Sequence, residues 1–529
     1  MREDRKSPVY ILALDLGSGG PKAALVSDTG EVIASAEENI PTELLSNGGA
    51  EQDPDRWWSG SKSVIRQVVE SSSVCTENIV AIGCDSQWSL CVPVDDNGIH
   101  LMNAVHWLDT RGGRYNRQIT AGFPMVSGYN LFKLLKWIRL TGLAPTLSGV
   151  DSLGHVLFIK NERPDIYKKT YKFLEPMDYL TSRLTGKITA TQKTMSPFLI
   201  MDNRDLEISE YNNTLLNFAG LERDKFPDII PNNSVVGRID PSVARELGLD
   251  KSTQVVAGVS DSNASLIGSG AVDDFEMIIY IGTSLYMTCH IPFKKTDLTH
   301  FMASIPSAFK SRYYLLGEQG PGGKCIEFFL KNFVYPHDKF KTGEKPDNAY
   351  ELFNEMAAGV PPGSDGLIFL PWLNGSIVPA EDSSVRGGFM NLSLATDRRH
   401  MARAIFEALA FNNRWTMGPA AKFIKKEIKS FRFSGGGALS DLLSQIHADV
   451  LDRKILQIDD PLNTTLRGNA MLAFNSLGLM SMDGIKKLAK VKKEFTPDSS
   501  NRSVYDKMYR QYRELFKCNR KIFRALNQN

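Results

Sequence analysis

Residues 10–38, YILALDLGSGGPKAALVSDTGEVIASAEE, carry the reading on which the fold turns. Tyr10 to Asp15 is an apolar run of strand length, followed by a glycine-rich turn of Gly17, Ser18, Gly19 and Gly20. Lys22 to Ser27 reads as a second strand, Asp28-Thr29-Gly30 as a hairpin turn, and Glu31 to Ala36 as a third strand. Asp53-Pro54 then opens a helix, with Asp as cap and Pro in the first turn, through DRWWSGSKSVIRQVVESS. Another apolar strand, Ile79 to Cys84, comes next. Three antiparallel strands, a helix and a further strand begin a mixed α/β domain.

The pattern recurs at residues 276–291, EMIIYIGTSLYMTCHI, where Gly282-Thr283-Ser284 separates two strands as Gly17 to Gly20 does. We read two similar lobes facing each other, with a boundary near residues 262–275. Residues 430–459 give strand, glycine-rich loop, helix and strand, with the helix over 441–452. RGNAMLAFNSLG at 467–478 reads as a helix of small residues, and 503–529 as a terminal helix packed on the body. The expected units are 9–265, 275–485 and a helical tail over 486–529.

Composition narrows the function class. The chain has 529 residues, long enough for two cores. Hydrophobic residues make up 42% and charged residues 23%, which suits a globular protein. With 62 basic and 60 acidic residues the net charge is +2, which gives no case for nucleic acid or an anionic membrane as a partner. The start, Met-Arg-Glu-Asp-Arg-Lys, is not a signal peptide, and no apolar run approaches the ~20 residues of a membrane span. Six cysteines without a C-x-x-C pair indicate reduced, mostly buried thiols and a cytoplasmic setting, and speak against structural zinc.

Glycine-rich turns let the backbone approach a phosphate, and successive N–H groups form an anion-binding concavity. Hairpins use glycine in any case, so each turn alone says little. Two at equivalent places, with Gly435, Gly436 and Gly437 in a third loop, point to a nucleotide. Gly17, Ser18, Lys22, Gly282, Thr283 and Ser284 are the candidate phosphate contacts. There is no G-x-x-x-x-G-K-[ST], no G-x-G-x-x-G after the first strand and no H-E-x-x-H. Asp15 ends the first strand, where it either caps the turn or anchors Mg²⁺ through its water shell. Asp261, in VVAGVSDSNASLIG, leaves an apolar strand among small residues. There it either caps the following helix or accepts a proton from a substrate hydroxyl.

The chain resembles the FGGY carbohydrate kinases, nearest to xylulokinase-like members, over about residues 9–480. The resemblance rests on ALDLGSGGPKAALV, EQDPDRWW, CDSQWS, WLDTRG, LEPMDYLTSRLTG, AGVSDSNASLIGSG, YIGTS and FSGGGALSDLLSQIHADVL, which stand in the family's order. It implies two actin-like, ribonuclease H-like ATPase lobes with a catalytic cleft between them. It implies transfer of the γ-phosphoryl group of Mg-ATP to a hydroxyl of a small sugar, a ketopentose such as D-xylulose first. Other acceptors (a pentitol, gluconate, a ketohexose) and an inactive sugar- or nucleotide-binding regulator are the alternatives. Asp261 would be the catalytic base and Asp15 would support Mg²⁺. Ser18, Gly282 and Thr283 would hold phosphates, and Gly436 and Gly437 would border the adenine. Gln87, Trp88, Ser89 and Asp109 would line the sugar pocket, and a homodimer is implied. Five positions depart from the family pattern. Trp88-Ser89 stands where Met-His is common, Ser262 where Asn follows the base, Asn391 where glycine is usual and Gly19 where a hydroxyl is common.

Overall fold

The computed structural model describes residues 8–339 and 343–527; the start of the chain, read above as no signal peptide, and the last two residues of the expected tail lie outside them. The first sheet has seven strands: β1 (Tyr10–Gly17), β2 (Gly20–Ser27), β3 (Val32–Glu37), β4 (Ile79–Ser86), β5 (Val235–Arg238), β6 (Gln254–Val256) and β7 (Val259–Ser260). Its order is β5-β6-β4-β1-β2-β3, with β7 also paired to β4. β1, β2 and β3 form an antiparallel meander, while β4 runs parallel to β1. Burial explains the run of apolar residues in β1: Ile11 to Leu14 are fully buried because both faces of the sheet are covered. Helix α1 (Pro54–Ser72) covers one face with Trp57, Val64, Ile65 and Val68, and Asp53 caps it by accepting from Asp55 N–H.

The second sheet has nine strands: β8 (Ile278–Ile281), β9 (Ser284–Thr288), β10 (His290–Ile291), β11 (Thr296–Asp297), β12 (Met302–Pro306), β13 (Tyr313–Pro321), β14 (Ser430–Ser434), β15 (Lys454–Ile458) and β16 (Val491–Phe495). Its centre repeats the first sheet, since the β8–β9 hairpin matches β1–β2 and β14 lies parallel to β8 as β4 does to β1. The further helices that bear on the site are α2 (Ser152–Glu162), α3 (Pro176–Thr185), α4 (Asp261–Gly268), α5 (Arg398–Ile424), α6 (Asp441–Leu451), α7 (Thr464–Ser476) and α8 (Arg502–Asn527).

The expected helical tail differs in its first part. Residues 491–495 form the edge strand β16, antiparallel to β15, and the helix begins at Arg502. The segment Val-Lys-Lys-Glu-Phe reads poorly as a strand because four of its residues are exposed. Charges on an edge strand are a common guard against pairing with another chain. α8 then buries Tyr505, Met508, Tyr512 and Phe516, a stripe at helical spacing, against Trp372, Phe411 and Trp415.

The two sheets are joined by crossed helices. α7, from the second half of the chain, packs on α4 and on the first sheet. The crossing point is Gly268 against Gly468. A Cβ at Gly268 would lie 1.8 Å from the Thr464 carbonyl, and one at Gly468 equally close to that of Ala264. Only glycine at both places lets the backbones approach this far.

Candidate active site

Asp15 and Asp85 are register partners on the parallel strands β1 and β4, and Ser260 pairs with Ser86 on the same side. Three carboxylates, Asp15, Asp85 and Asp261, therefore meet at the C-terminal edge of the first sheet, where open α/β sheets carry their sites. Asn469 of α7 reaches across to donate to Asp85 Oδ2 at 2.6 Å and to the Leu14 carbonyl at 3.3 Å. Among the described residues, Asp15 Oδ1 and Asp85 Oδ1 are buried without a hydrogen-bond partner.

This crowding sets the electrostatics. Burial, and then repulsion from Asp15 and Asp261, hold Asp85 well above the ordinary carboxylate range. Burial raises Asp15 too, opposed by the adjoining Asp85 carboxyl and by Lys22. Burial and the charge of Asp15 push Asp261 up to about 7. A carboxyl that titrates near neutrality suits a general base, because it is available as carboxylate yet binds a proton readily. Ser260, not Asp261, is the N-cap position of α4, and Asp261 Oδ1 accepts Ser262 N–H at 2.6 Å. Asp261 thus has one oxygen on the helix start and a second that no protein donor occupies.

The glycine turns sit around this group. Gly17 pairs with Gly20 across β1–β2, leaving Ser18 and Gly19 at the tip, and Ser18 Oγ accepts from Trp107 Nε1 at 3.3 Å. Lys22 lies opposite Asp15 in the hairpin, and its ammonium pairs with Glu37 at 2.6 Å on the exposed side. In the second hairpin Ile281 pairs with Leu285, so Gly282, Thr283 and Ser284 form the loop, with Thr283 exposed. Gly435 and Gly437 press on Ile281 at its base, while Gly436 faces Leu462. Gly435 has φ +81, and a Cβ there would stand 2.6 Å from the Ile281 carbonyl, so the loop requires glycine. The second hairpin and the adenosine-type loop are therefore one packed unit.

The residues that the resemblance assigns to the acceptor are held by side-chain contacts. Gln87 is clamped, donating to Gln52 Oε1 at 2.7 Å and facing His106 Nε2 at 3.0 Å through its Oε1. Asp109 is fully buried, and its carboxylate accepts from Ala50 N–H and from Arg111 at 2.6–2.9 Å. It anchors Arg111, whose guanidinium also pairs with Glu51. Ser89 adopts φ +69 and donates from Oγ to the Val150 carbonyl at 3.0 Å. Trp88 stands between them, partly exposed, its indole N–H without a partner.

Four residues here were not singled out in the sequence. Asp85 ends an apolar strand as Asp15 and Asp261 do, and that shared pattern would have found it. Glu318 on β13 faces Asp261, and burial pushes it up to about 8. Lys193 has a fully buried ammonium, 2.9 Å from Tyr314 Oη and 4.0 Å from the centre of the Trp88 ring. Neither Lys193 nor Tyr314 bears a local signal, since the fold brings together a turn and a strand 121 residues apart.

Two family models cover most of the chain. Residues 10–268 match the N-terminal domain, and 277–477 the C-terminal domain, of the FGGY family of carbohydrate kinases. The chain belongs to that family. It is an ATP-dependent carbohydrate kinase with the family's two-domain α/β fold. It is similar to the xylulose kinase of Bacillus subtilis, 26% identical over 523 residues, covering 98% of each chain. The gluconokinase of the same organism is 23% identical over 505 residues, covering 94% of this chain and 93% of its own. Among solved structures, the gluconate kinase of Lactobacillus acidophilus superposes with a TM-score of 0.83 at 24% identity, covering 98% of this chain and all of that one. The ligand-bound xylulose kinase of the same organism superposes with a TM-score of 0.81 at 24% identity, covering 96% and 98%. Among the described residues no helix is long and apolar enough to cross a membrane.

Proposed function

We propose that this kinase transfers the γ-phosphoryl group of Mg-ATP to a hydroxyl of a small sugar, with Asp261 as the base that takes the hydroxyl proton. The observation that carries the reading is the meeting of Asp261 with Asp15 and Asp85 at a sheet edge that faces the Gly17–Gly20 turn. Ser18, Gly282, Thr283 and Ser284 offer N–H and hydroxyl donors to phosphate oxygens, Gly435 to Gly437 flank the adenosine, and Lys22 adds positive charge beside Asp15. Gln87, Trp88 and Ser89 form the acceptor wall, which Asp109 supports through Arg111.

Mg²⁺ fits the acidic end of the cleft. It is a hard cation that takes oxygen ligands and usually retains waters, and Asp15 Oδ1 and Asp85 Oδ1 are buried acceptors without a donor. Asp15 would hold the ion through water, and the bound ion would neutralise charge on the phosphate oxygens. Positioning and charge neutralisation supply most of the catalysis in phosphoryl transfer.

The xylulose kinases among the relatives support a ketopentose, D-xylulose first, as acceptor. We place the protein in the cytoplasm, as a homodimer, with lobes at 9–265 and from 275 through β16, and a helical tail that begins at Arg502. The test is ADP release from ATP over D-xylulose, xylitol, D-fructose and D-gluconate, with and without Mg²⁺. Turnover with one of them above the acceptor-free rate is expected. A rate that no acceptor raises would overturn the kinase reading for these classes.

A further inference from the structure

Lys193 follows the short strand Thr189–Thr191, in a turn braced by Thr194, and its own N–H donates to Asn232 Oδ1 at 3.2 Å. The side chain is 1% exposed. An ammonium has three N–H donors. Here one goes to Tyr314 Oη at 2.9 Å, and the charge lies 4.0 Å from the centre of the Trp88 ring and 4.8 Å from that of Tyr314. The carboxylates that face it, Glu175 at the start of α3 and Asp261 at the start of α4, are not ion-pair partners. Glu175 instead accepts from Ser152 Oγ at 2.5 Å and Leu90 N–H at 3.2 Å. Burial lowers the lysine to about 7. An apolar side chain would meet no such desolvation penalty, so stability alone does not account for a lysine here.

The contacts form a line through the cleft. Trp88 belongs to the first lobe, between the clamped Gln87 and the left-handed Ser89. Tyr314 belongs to the second sheet, and its hydroxyl is also 3.4 Å from Ser262 Oγ, next to Asp261. The two aromatic faces offer the ammonium the attraction of their ring quadrupoles, which gives the cation a preferred place and the indole a preferred orientation.

We propose that Lys193 is a positioning residue of the acceptor pocket, a buried cation that ties Trp88 of the first lobe to Tyr314 of the second and so sets the wall against which the sugar lies. The proposal rests on the acceptor-pocket reading above. Removing the cation frees the indole, whose own N–H has no partner to hold it. The loss falls on acceptor binding and leaves the nucleotide side unchanged.

The experiment compares wild type with Lys193→Met, Lys193→Arg, Tyr314→Phe and Trp88→Ala, using the acceptor that wild type phosphorylates best. Lys193→Met is expected to raise the acceptor KM about tenfold or more while the ATP KM stays within about twofold and the melting temperature does not fall. Lys193→Arg, which keeps a cation able to stack on indole, recovers most of that loss, and Tyr314→Phe shows a smaller change of the same sign. Should Lys193→Met aggregate, Tyr314→Phe and Lys193→Arg carry the test through the same KM split. An acceptor KM within twofold of wild type in Lys193→Met, with Trp88→Ala raising it, overturns the role of Lys193 and leaves the pocket standing. No change in either variant overturns both the pocket and the tie.

Discussion

The two halves of the cleft are made differently. The half proposed to hold the nucleotide is backbone: two hairpin tips and a glycine loop, with Gly435 pressed onto Ile281. The half proposed to hold the acceptor is side chains, Gln87 clamped by Gln52 and His106 and Trp88 backed by Lys193. Backbone sites depend on residues that permit a conformation, so one wrong residue disables them. Side-chain sites depend on shape and donors, so they change specificity by degrees. Of the departures from the family pattern, those at 88 and 89 fall in the second half and Gly19 at a hairpin tip of the first.

The largest contrast comes from Gly435→Val. A β-branched residue at φ +81 costs about 1–3 kcal/mol of backbone strain and meets the Ile281 carbonyl as well. The ATP KM should rise on the order of tenfold to a hundredfold, with the acceptor KM little changed. Steady-state kinetics with each substrate varied in turn checks this, and equal rises in both constants would break the division into halves.

A second effect is the acid limb. With Asp261 at about 7, the acceptor kcat/KM should fall roughly tenfold per unit as pH drops below 7. A flat profile from pH 5 to 8 contradicts a base at this position. The same shift acts on stability. A carboxyl raised in the folded state favours folding fully below about pH 4, and that contribution is lost as pH rises to about 7.

The smallest effect is expected at Ser89. His tolerates the left-handed conformation better than most residues, so Ser89→His should fold. It exchanges a hydroxyl bonded to Val150 for an imidazole at the pocket wall and should reorder the acceptors by severalfold in kcat/KM, the worth of about one hydrogen bond. An unchanged order places residue 89 outside the pocket.

The same division explains what could be read from the sequence. The β1–β2–β3 meander, the α1 cap and the second glycine hairpin are local patterns, so strand length, turn residues and capping chemistry expose them. Asn391 is legible in a subtler way. It occupies φ +71, a conformation that suits glycine and that Asn tolerates, and its Nδ2 donates to the Gly366 carbonyl at 3.0 Å. Strand β16 was lost because its lysines and glutamate face solvent. Lys193 was lost because a lysine between Gln192 and Thr194 looks like surface until Trp88 and Tyr314 close over it. Asn469 lies 384 residues from the Asp85 it holds, a distance no local reading spans.

The central claim is that Asp261 takes the acceptor proton. Asp261→Asn preserves shape and one acceptor oxygen for Ser262 N–H but binds no proton. Turnover and melting temperature of this one variant, measured together at pH 8 in saturating Mg-ATP and acceptor, decide it. A kcat lower by about 10²–10⁴-fold is predicted, with a melting temperature equal to or above wild type because a costly buried charge is gone. Near-normal turnover with a lowered melting temperature would contradict the account and leave Asp261 as a structural acceptor of Ser262 N–H at the start of α4.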